Sequence, residues 1–358
     1  MFDNFSISSK ISGKYSVNFI NDLNLQINNL APNDKAIFLI DSKVLDLFSQ
    51  NFNEIVSNKR LILIEASEKN KTIDYCQLVI RKLLQLEVRK DDVLIAIGGG
   101  ITQDIVAFIS SVLFRGVEWI FLPTTLLAQC DSCIGSKSSI NFDNYKNLIG
   151  TFKPPNYVYI YMGFLKTLTE SEIRSGIGEM LHYFLTDGIV LAQEITEKID
   201  DLIKEPKKLE YFIKNSLKIK KNIIEIDEFD ESIRHIFNYG HTFGHAIEAI
   251  TNYSIPHGQA VTLGIDLANY LSFKLQMINY SAYDEMHKIL LKNMPNYMLV
   301  GNKIEEFLNA MSKDKKNKGN KIGFILTRGP GKVEKVFIEN NEWLKNCILE
   351  YFNKSGLV

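Results

Sequence analysis

Short hydrophobic runs alternate with longer amphipathic stretches through the first half of the chain. Unbroken apolar segments of this length, bounded by turn residues, are typical of buried strands, and we predict four of them: residues 36–40, 61–64, 93–97 and 119–122. Between them, residues 71–87 and 103–114 have helical spacing. Alternating strands and helices predict a parallel sheet covered by helices.

The pattern changes near residue 165, where the strand signals fade. Helical spacing then dominates, over residues 170–186, 190–203, 207–226, 261–275 and 283–291 and around His241, with one strand-like piece at 322–326. Because 358 residues exceed what a single hydrophobic core usually supports, we expect two domains, residues 1–165 and 166–358.

Composition narrows the class of protein. Hydrophobic residues make up 46% and charged residues 23%, as in soluble globular proteins. A net charge of −1 argues against a nucleic-acid binder. The sequence contains no run of 18 apolar residues, so we expect no segment that spans a membrane. The N-terminus lacks the pattern of a signal peptide, and the four cysteines, including the Cys130–Cys133 C-x-x-C pair, form no disulfide framework. We therefore expect a cytoplasmic protein.

Residues 234–257 hold four of the six histidines: His235, His241, His245 and His257. His241 and His245 are four residues apart, so on a helix they project from one face, and Pro256 is expected to end that helix just before His257. Histidines with a carboxylate from elsewhere would suit zinc or a similar divalent ion. The alternative is a set of ordinary core and surface histidines in a helical domain.

Other polar residues stand where ligands commonly bind. Glu179 lies on an otherwise apolar helix, where a carboxylate is costly to bury unless it is paired or metal-bound. The alternative is that Glu179 lies on the solvent-exposed side of this helix. Residues 98–104, G-G-G-I-T-Q-D, join a strand to a helix whose free N–H groups could hold a phosphate. Asp41 and Glu65 each follow a predicted strand. The polar stretch 131–147 is expected to be a long functional loop.

A series of short motifs runs through the chain in a fixed order: G-G-G-x-x-x-D, R-G-V, P-T-T-L-L, D-S-x-I-G-x-K, K-N-L-I-G, F-L-x-T-L, G-x-x-E and N-x-G-H-x-x-G-H-A-I-E-A. In this ordered set, over residues 35–330, the sequence resembles 3-dehydroquinate synthase and its sugar-phosphate cyclase relatives. The resemblance implies an N-terminal Rossmann-like α/β domain, an all-α C-terminal domain of the dehydroquinate synthase type, and an active site in the cleft between them.

The resemblance also implies a role for each matching residue. Glu179, His241 and His257 would be the ligands of a divalent metal, zinc or cobalt, whereas His245 would contact the substrate phosphate. The other catalytic positions would be Asp131, Lys146, Lys220 and Arg234. Substrate would also contact Arg115, Lys137, Asn147, His182, Asn238 and Lys315 or Lys316. NAD would contact Asp41, Glu65, Gly99, Gly100, Asp104, Thr124, Thr125, Phe164 and Thr167. Arg115 would reach the phosphate across the interface of a homodimer.

The reaction implied is the conversion of 3-deoxy-arabino-heptulosonate 7-phosphate to 3-dehydroquinate and phosphate, a step of the shikimate pathway of aromatic amino acid biosynthesis. NAD takes a hydride from the C5 alcohol, phosphate is eliminated, the hydride returns, and the opened ring closes as an intramolecular aldol. The reaction involves no net redox change.

Some positions depart from the family pattern. His182 replaces a lysine, and Asp230 replaces a glutamate. The other departures are Glu68 in place of a lysine, Ser136 in place of a glycine, and Thr102 and Gln103 in place of an isoleucine and a glycine. Because His182 and Asp230 face the substrate in the family, a sister cyclase acting on a heptulose 7-phosphate or hexose 6-phosphate stays open. The further alternatives are a metal-dependent polyol dehydrogenase, which would need no phosphate loop, and an inactive paralogue, which would seldom keep its metal ligands.

Overall fold

The structure, a computed structural model, describes residues 4–31, 34–57, 60–143, 145–295, 303–312 and 319–354. The chain divides into two compact units. The first comprises Met1–Leu168 with Lys221–Phe229, and the second Thr169–Lys220 with Asp230–Val358. Helical periodicity through residues 207–226 carries no sign of this return to the first unit.

The first unit is built on a seven-stranded sheet in the order β1-β2-β9-β6-β5-β3-β4. Its strands are β1 Asn4–Ser9, β2 Gly13–Ile20, β3 Ala36–Asp41, β4 Leu61–Ile64, β5 Val93–Gly98, β6 Glu118–Pro123 and β9 Tyr157–Tyr161. Neighbouring strands are parallel except in the β1–β2 hairpin. The four predicted strands are confirmed. The other three were not predicted because buried and more exposed positions alternate along them, so they contain no unbroken apolar run.

Helices cover the central strands. They are α1 Leu23–Leu30, α2 Ser42–Leu47, α3 Asn53–Ser57, α4 Ile73–Gln85 and α5 Gly100–Val112. Phe38, Ile40, Ile95 and Ile97 of β3 and β5 belong to the resulting core. Each such side chain contributes roughly 1.5–3 kcal/mol when it is removed from water, so these strands anchor the sheet whose carboxyl ends carry the candidate cofactor residues.

The stretch 131–147, expected to be a loop, is largely a β-hairpin. Strand β7, Lys137–Phe142, pairs antiparallel with β8, Tyr145–Phe152. Most positions of β8 are exposed, which explains why its polar sequence resembled a loop. The prediction of a loop was therefore wrong for its second half, and Lys146 and Asn147 sit on a strand.

The second unit is mainly helical, as predicted. Its helices are α6 Glu170–Asp187, α7 Val190–Glu197, α8 Ile199–Lys204, α9 Glu210–Ile224, α10 His241–Ile250, α11 His257–Lys274, α12 Tyr280–Leu291, α13 Ile304–Ser312 and α14 Glu342–Lys354, with the last residues of α9 assigned to the first unit. One antiparallel hairpin, β10 Lys321–Thr327 with β11 Val333–Glu339, corrects the description all-α. Among the described residues, no helix combines the length and the apolar character needed to cross a membrane.

The helix that begins at His241 ends earlier than predicted. It stops at Ile250, and Asn252 and Tyr253 take φ values of 49° and 60°, which a right-handed helix cannot contain. Pro256 instead caps the next helix, so His257 is the first residue of α11 rather than part of a loop beyond α10. A regular element therefore fixes the position of this histidine.

Candidate active site

The three side chains expected to bind a metal converge in the helical unit. One ligand atom from each of Glu179, His241 and His257 lies within 4.8 Å of those of the other two. Nε2 of His241 is 3.6 Å from Oε1 of Glu179, and Nε2 of His257 is 3.5 Å from Oε2. Tetrahedral ligands about 2.0–2.1 Å from a zinc ion are about 3.4 Å apart. The separations, and a donor set of two imidazoles and one carboxylate, therefore fit a divalent ion.

Close contact between helices α6 and α11 brings two of these ligands together. Glu179 follows Gly178, and His257 precedes Gly258. A Cβ on Gly178 would lie 1.9 Å from the carbonyl oxygen of Gly258, and one on Gly258 would lie 1.7 Å from that of Ser175. Only glycine allows backbones to approach this closely, so these two positions set the distance between the helices that carry the ligands.

The electrostatics of the cluster also suit a cation. Glu179 is 4% exposed, and its Oε2 atom accepts no hydrogen bond from any residue that the structure describes. Burial alone would raise the pKa of Glu179, but His241 and His257 outweigh it and hold that pKa well below its usual range. Burial would lower the pKa of His257, but Glu179 and Glu248 outweigh it and raise that pKa to about 10. A carboxylate held ionised in a buried site needs a positive partner, which the protonated imidazole of His257 supplies here and which a divalent ion would supply once it displaced that proton.

Glu248 belongs to the same cluster and was not among the predicted residues. Its Oε2 lies 3.0 Å from Nδ1 of His257, so the imidazole lies between two carboxylates, Glu179 and Glu248. A signal for this residue was present in the sequence. Glu248 comes seven residues after His241, two turns along the same helix, and therefore projects from the same face.

Two residues expected to contact substrate lie beside the ligands. His182, one turn after Glu179, is 0% exposed, and its Nδ1 is 3.8 Å from Oε1 of Glu179. The His182 ring is also edge-on to His241, with 5.0 Å between ring centroids. The ring centroid of the exposed His245 is 5.5 Å from that of His241 and 5.8 Å from that of His257.

The helical unit holds further predicted substrate residues. Lys220 and Arg234 are buried cations, 5% and 8% exposed. Asn238 donates from Nδ2 to the carbonyl oxygen of His235 at 2.9 Å. It also lines a pocket whose other members are Asp230, His235, Thr242, Gly323, Ile325 and Lys335. Lys315 and Lys316 lie outside the described residues.

In the first unit, two turns at the carboxyl ends of adjacent strands lie side by side. Strands β5 and β6 pair up to Gly98 and Pro123, and the Thr124 N–H donates to the Gly98 carbonyl at 3.0 Å. A Cβ on Gly99 would lie 2.9 Å from Thr125, so the backbone of the glycine turn packs directly against this threonine. Gly100 begins helix α5. The turn thus combines close backbone packing with a helix N-terminus, as a phosphate site requires.

The remaining predicted cofactor residues have different surroundings. Asp41 ends β3, and its side chain accepts a hydrogen bond from the Lys43 N–H at 3.0 Å, while burial raises its pKa. Glu65 is exposed directly after β4. The Phe164 side chain packs in the core, and Thr167 Oγ1 donates to its carbonyl oxygen at 3.1 Å.

Asp104 lies in a partly buried polar network with a lysine that was not predicted. Lys71 donates to Asp104 Oδ2 at 2.6 Å and to Asn147 Oδ1 at 2.8 Å, and the Ser139 N–H donates to Asp104 Oδ1 at 2.8 Å. Burial raises the pKa of Asp104, although Lys71 counters it. Glu68 is 3.5 Å from the ammonium group of Lys146. Glu68 stands where the family pattern has a lysine. Near it, Lys71 is the lysine that lies buried beside a candidate cofactor residue, Asp104.

The other predicted residues of the first unit lie near its surface. Asp131 belongs to the helical turn Ala128–Ser132, whose Ser132 Oγ donates to Gln103 Oε1 at 2.6 Å. Gln103, one of the departures from the family pattern, thus helps to hold this turn. Lys137 begins β7. Arg115 is exposed and has a φ of 61°.

Family models match most of the chain. The model for the N-terminal part of 3-dehydroquinate synthase matches residues 61–175, and the model for its C-terminal part matches residues 176–317. A 3-dehydroquinate synthase of Clostridium tetani is 36% identical over 329 residues, covering 90% of this chain and 87% of the relative. That of Dictyoglomus turgidum is 38% identical over 289 residues, covering 78% and 79%.

Solved structures share the fold. A 2-deoxy-scyllo-inosose synthase complexed with carbaglucose-6-phosphate, NAD+ and Co2+ has a TM-score of 0.85 at 23% identity, covering 98% of this chain and 99% of that chain. The 2-epi-5-epi-valiolone synthase of Streptomyces hygroscopicus with NAD+ and Zn2+ has a TM-score of 0.85 at 21% identity, covering 98% and 100%. An iron-containing alcohol dehydrogenase has a TM-score of 0.64 at 13% identity, covering 98% of each chain.

Proposed function

This chain belongs to the 3-dehydroquinate synthase family, and we propose that it converts 3-deoxy-arabino-heptulosonate 7-phosphate to 3-dehydroquinate and phosphate with NAD and a divalent metal, zinc or cobalt. The observation that carries the proposal is the convergence of Glu179, His241 and His257 in the helical unit. In the sequence these residues are as much as 78 positions apart, so folding alone brings them together.

The cofactors would have defined places. The metal would be held by Glu179, His241 and His257, and NAD by the turns at Gly99–Gly100 and Thr124–Thr125. The metal would polarise an alcohol of the substrate, and NAD would accept its hydride and later return it. The solved cyclases that share the fold support this pairing, because both contain NAD+ and a divalent metal.

The cations of the helical unit favour a substrate that carries a carboxylate. Arg234 offers a planar fork that matches a carboxylate through two hydrogen bonds, and Lys220 adds a second positive charge. Both are buried, so their pairing with an anion is little weakened by water. His245, beside the ligand cluster, would meet the phosphate. Asp131, Lys137, Lys146 and Asn147 remain proposed catalytic and substrate residues of the first unit.

Phosphate release tests the proposal directly. Metal-stripped protein is reloaded with zinc or cobalt, supplied with NAD, and offered the heptulosonate phosphate, sedoheptulose 7-phosphate or glucose 6-phosphate. We expect inorganic phosphate from the first substrate only, without net accumulation of NADH. Release from either of the other two but not from the first would overturn the assignment and leave a cyclase. Net NADH formation with a simple polyol would point to a dehydrogenase.

A second candidate, a sister cyclase acting on another sugar phosphate, is favoured by His182. This residue replaces the lysine of the family pattern and lies 3.8 Å from Glu179. A shorter side chain with different charge at that point would suit a substrate with a different arrangement of hydroxyl groups. The same phosphate assay distinguishes the two candidates.

We also propose a cytoplasmic homodimer. The four cysteines are buried thiols, as expected in a reducing compartment. The exposed Arg115 would reach the substrate phosphate of the partner subunit. Sedimentation of the holoenzyme, together with loss of activity on Arg115→Ala that is restored by mixing with an inactive His241→Ala variant, would support this arrangement. Activity unchanged by Arg115→Ala would contradict it.

A further inference from the structure

Glu248 and His257 form a contact between two helices of the metal cluster. Glu248 lies on α10 and His257 begins α11, and 3.0 Å separate Oε2 of the former from Nδ1 of the latter. On the other side of the ring, Nε2 of His257 is 3.5 Å from Oε2 of Glu179. One nitrogen of the imidazole therefore faces the proposed metal position, and the other faces a carboxylate that belongs to no proposed ligand set.

We infer that Glu248 is a positioning residue, which holds His257 so that Nε2 is the atom presented to the metal. The inference rests on the metal site of the proposed function. An ionised carboxylate only accepts hydrogen bonds, so it selects the imidazole form that carries its proton on Nδ1 and leaves the lone pair of Nε2 available. Without Glu248, the proton could move to Nε2, or a half-turn of the ring about its Cβ–Cγ bond could put the carbon Cε1 where Nε2 now lies, and either change would remove the lone pair that faces the metal position.

The surroundings of Glu248 make this constraint effective. Its side chain is 14% exposed, so water competes weakly for its oxygens. The helices that carry the pair are themselves held close, since a Cβ on Gly264 of α11 would lie 2.1 Å from the carbonyl oxygen of Gly240, just before α10. Carboxylates that bond the outer nitrogen of a metal-binding histidine typically strengthen metal affinity by about 10–100-fold.

The same contact has one competing explanation. Ligand atoms of His245, Glu248 and His257 also lie within 4.8 Å of one another, so the three could hold a second cation. His257 would then bind metals through both nitrogens and would have to lose its remaining proton. The hydrogen-bonding distance between Nδ1 and Glu248 favours a proton at that position instead.

Zinc affinity of the stripped protein tests the inference without any substrate. Wild type, Glu248→Ala and Glu248→Gln are titrated with zinc against a chromophoric chelator. We expect one zinc per chain in all three, with affinity reduced about 10–100-fold by Glu248→Ala. Glu248→Gln should lose less, because the amide oxygen still accepts the hydrogen bond from Nδ1. Glu194→Ala, which removes a glutamate of α7 that pairs with Lys198, is the matched control and should bind zinc as wild type does.

Melting of the metal-free proteins separates positioning from a structural role. We expect metal-free Glu248→Gln to melt close to wild type while its zinc affinity falls. Unchanged zinc affinity in both Glu248 variants would overturn the inference. Two zinc ions in wild type and one in the variants would establish the second cation site instead. If wild type binds one zinc but releases no phosphate from any sugar phosphate, the proposed function fails while the role of Glu248 stands.

Discussion

Nδ1 of His182 lies 3.8 Å from Oε1 of Glu179. The two side chains are one turn apart on α6, and both are buried. A change in the charge or length of the side chain at residue 182 therefore acts next to the proposed metal ligand Glu179, at the place where substrate hydroxyl groups would be held.

Replacing His182 with lysine should change which sugar phosphate is preferred. A charged hydrogen bond to a substrate group is worth about 1.5–3 kcal/mol, so we expect His182→Lys to change the ratio of kcat/KM between the heptulosonate phosphate and sedoheptulose 7-phosphate by at least about tenfold. Tyr183→Phe, at the neighbouring residue, is the control. Unchanged ratios in His182→Lys would show that residue 182 does not set specificity.

Removing His241 should abolish metal retention. The remaining pair, Glu179 and His257, offers too few ligands for a tightly held zinc ion. We expect His241→Ala to emerge from gel filtration with little zinc by elemental analysis, while His235→Ala, outside the converging set, retains about one ion per chain. Full zinc occupancy of His241→Ala would contradict the ligand assignment.

A methyl group at Gly258 should cost both stability and metal binding. The added Cβ would lie 1.7 Å from the Ser175 carbonyl oxygen. Helices α6 and α11 would have to move apart to relieve this overlap. We expect Gly258→Ala to lower the free energy of unfolding by about 3 kcal/mol or more and to weaken zinc binding. Gly188→Ala is the control, because a Cβ there meets nothing within 4 Å. Equal denaturant midpoints for the two variants would contradict this account.

A second buried cluster predicts a pH dependence of stability. Asp266 accepts hydrogen bonds from His287 Nδ1 at 2.8 Å and from Tyr351 Oη at 2.7 Å. The bond to Asp266 raises the pKa of His287, while partial burial opposes it. The contribution of a histidine with a raised pKa is complete below its ordinary pKa of about 6.5 and is lost as the pH rises through the folded value.

His287→Gln should therefore destabilise the protein more at pH 6 than at pH 9. Urea unfolding of wild type and variant at both pH values gives the difference, and Tyr351→Phe supplies a control that removes a hydrogen bond to the same carboxylate without removing the histidine. A destabilisation by His287→Gln that is the same at both pH values would mean that the protonated form of His287 contributes nothing.

The sequence predicts the strands that are buried on both faces better than the others. Strands β3 and β5 are unbroken apolar runs, and nearly all of their residues on both faces are buried. In β2 and β9, buried positions alternate with more exposed ones, and the alternating pattern is short enough to be overlooked. The β7–β8 hairpin is too polar to show an apolar run at all.

The site has a similar limit. Spacing alone cannot choose between His245 and His257 as the partner of His241, because the choice depends on how α10 and α11 pack. The resemblance indicated His257, and the geometry brings it to Glu179. The spacing of seven residues places Glu248 on the same helix face as His241, but its contact with His257 depends on the packing of α10 against α11. Lys71 had no signal in the sequence, because its partner Asp104 is 33 residues away.

The segment Lys221–Phe229 has a consequence for anyone who wishes to study half of this molecule. Glu225 accepts a hydrogen bond from the Ser8 N–H, and Glu228 accepts them from Ser9 and Lys10. A fragment that starts at Thr169 would carry both glutamates without these partners, and one that stops at Leu168 would leave the N-terminal hairpin without its acceptors. Neither unit is a continuous piece of chain, so they cannot be separated by a single cut.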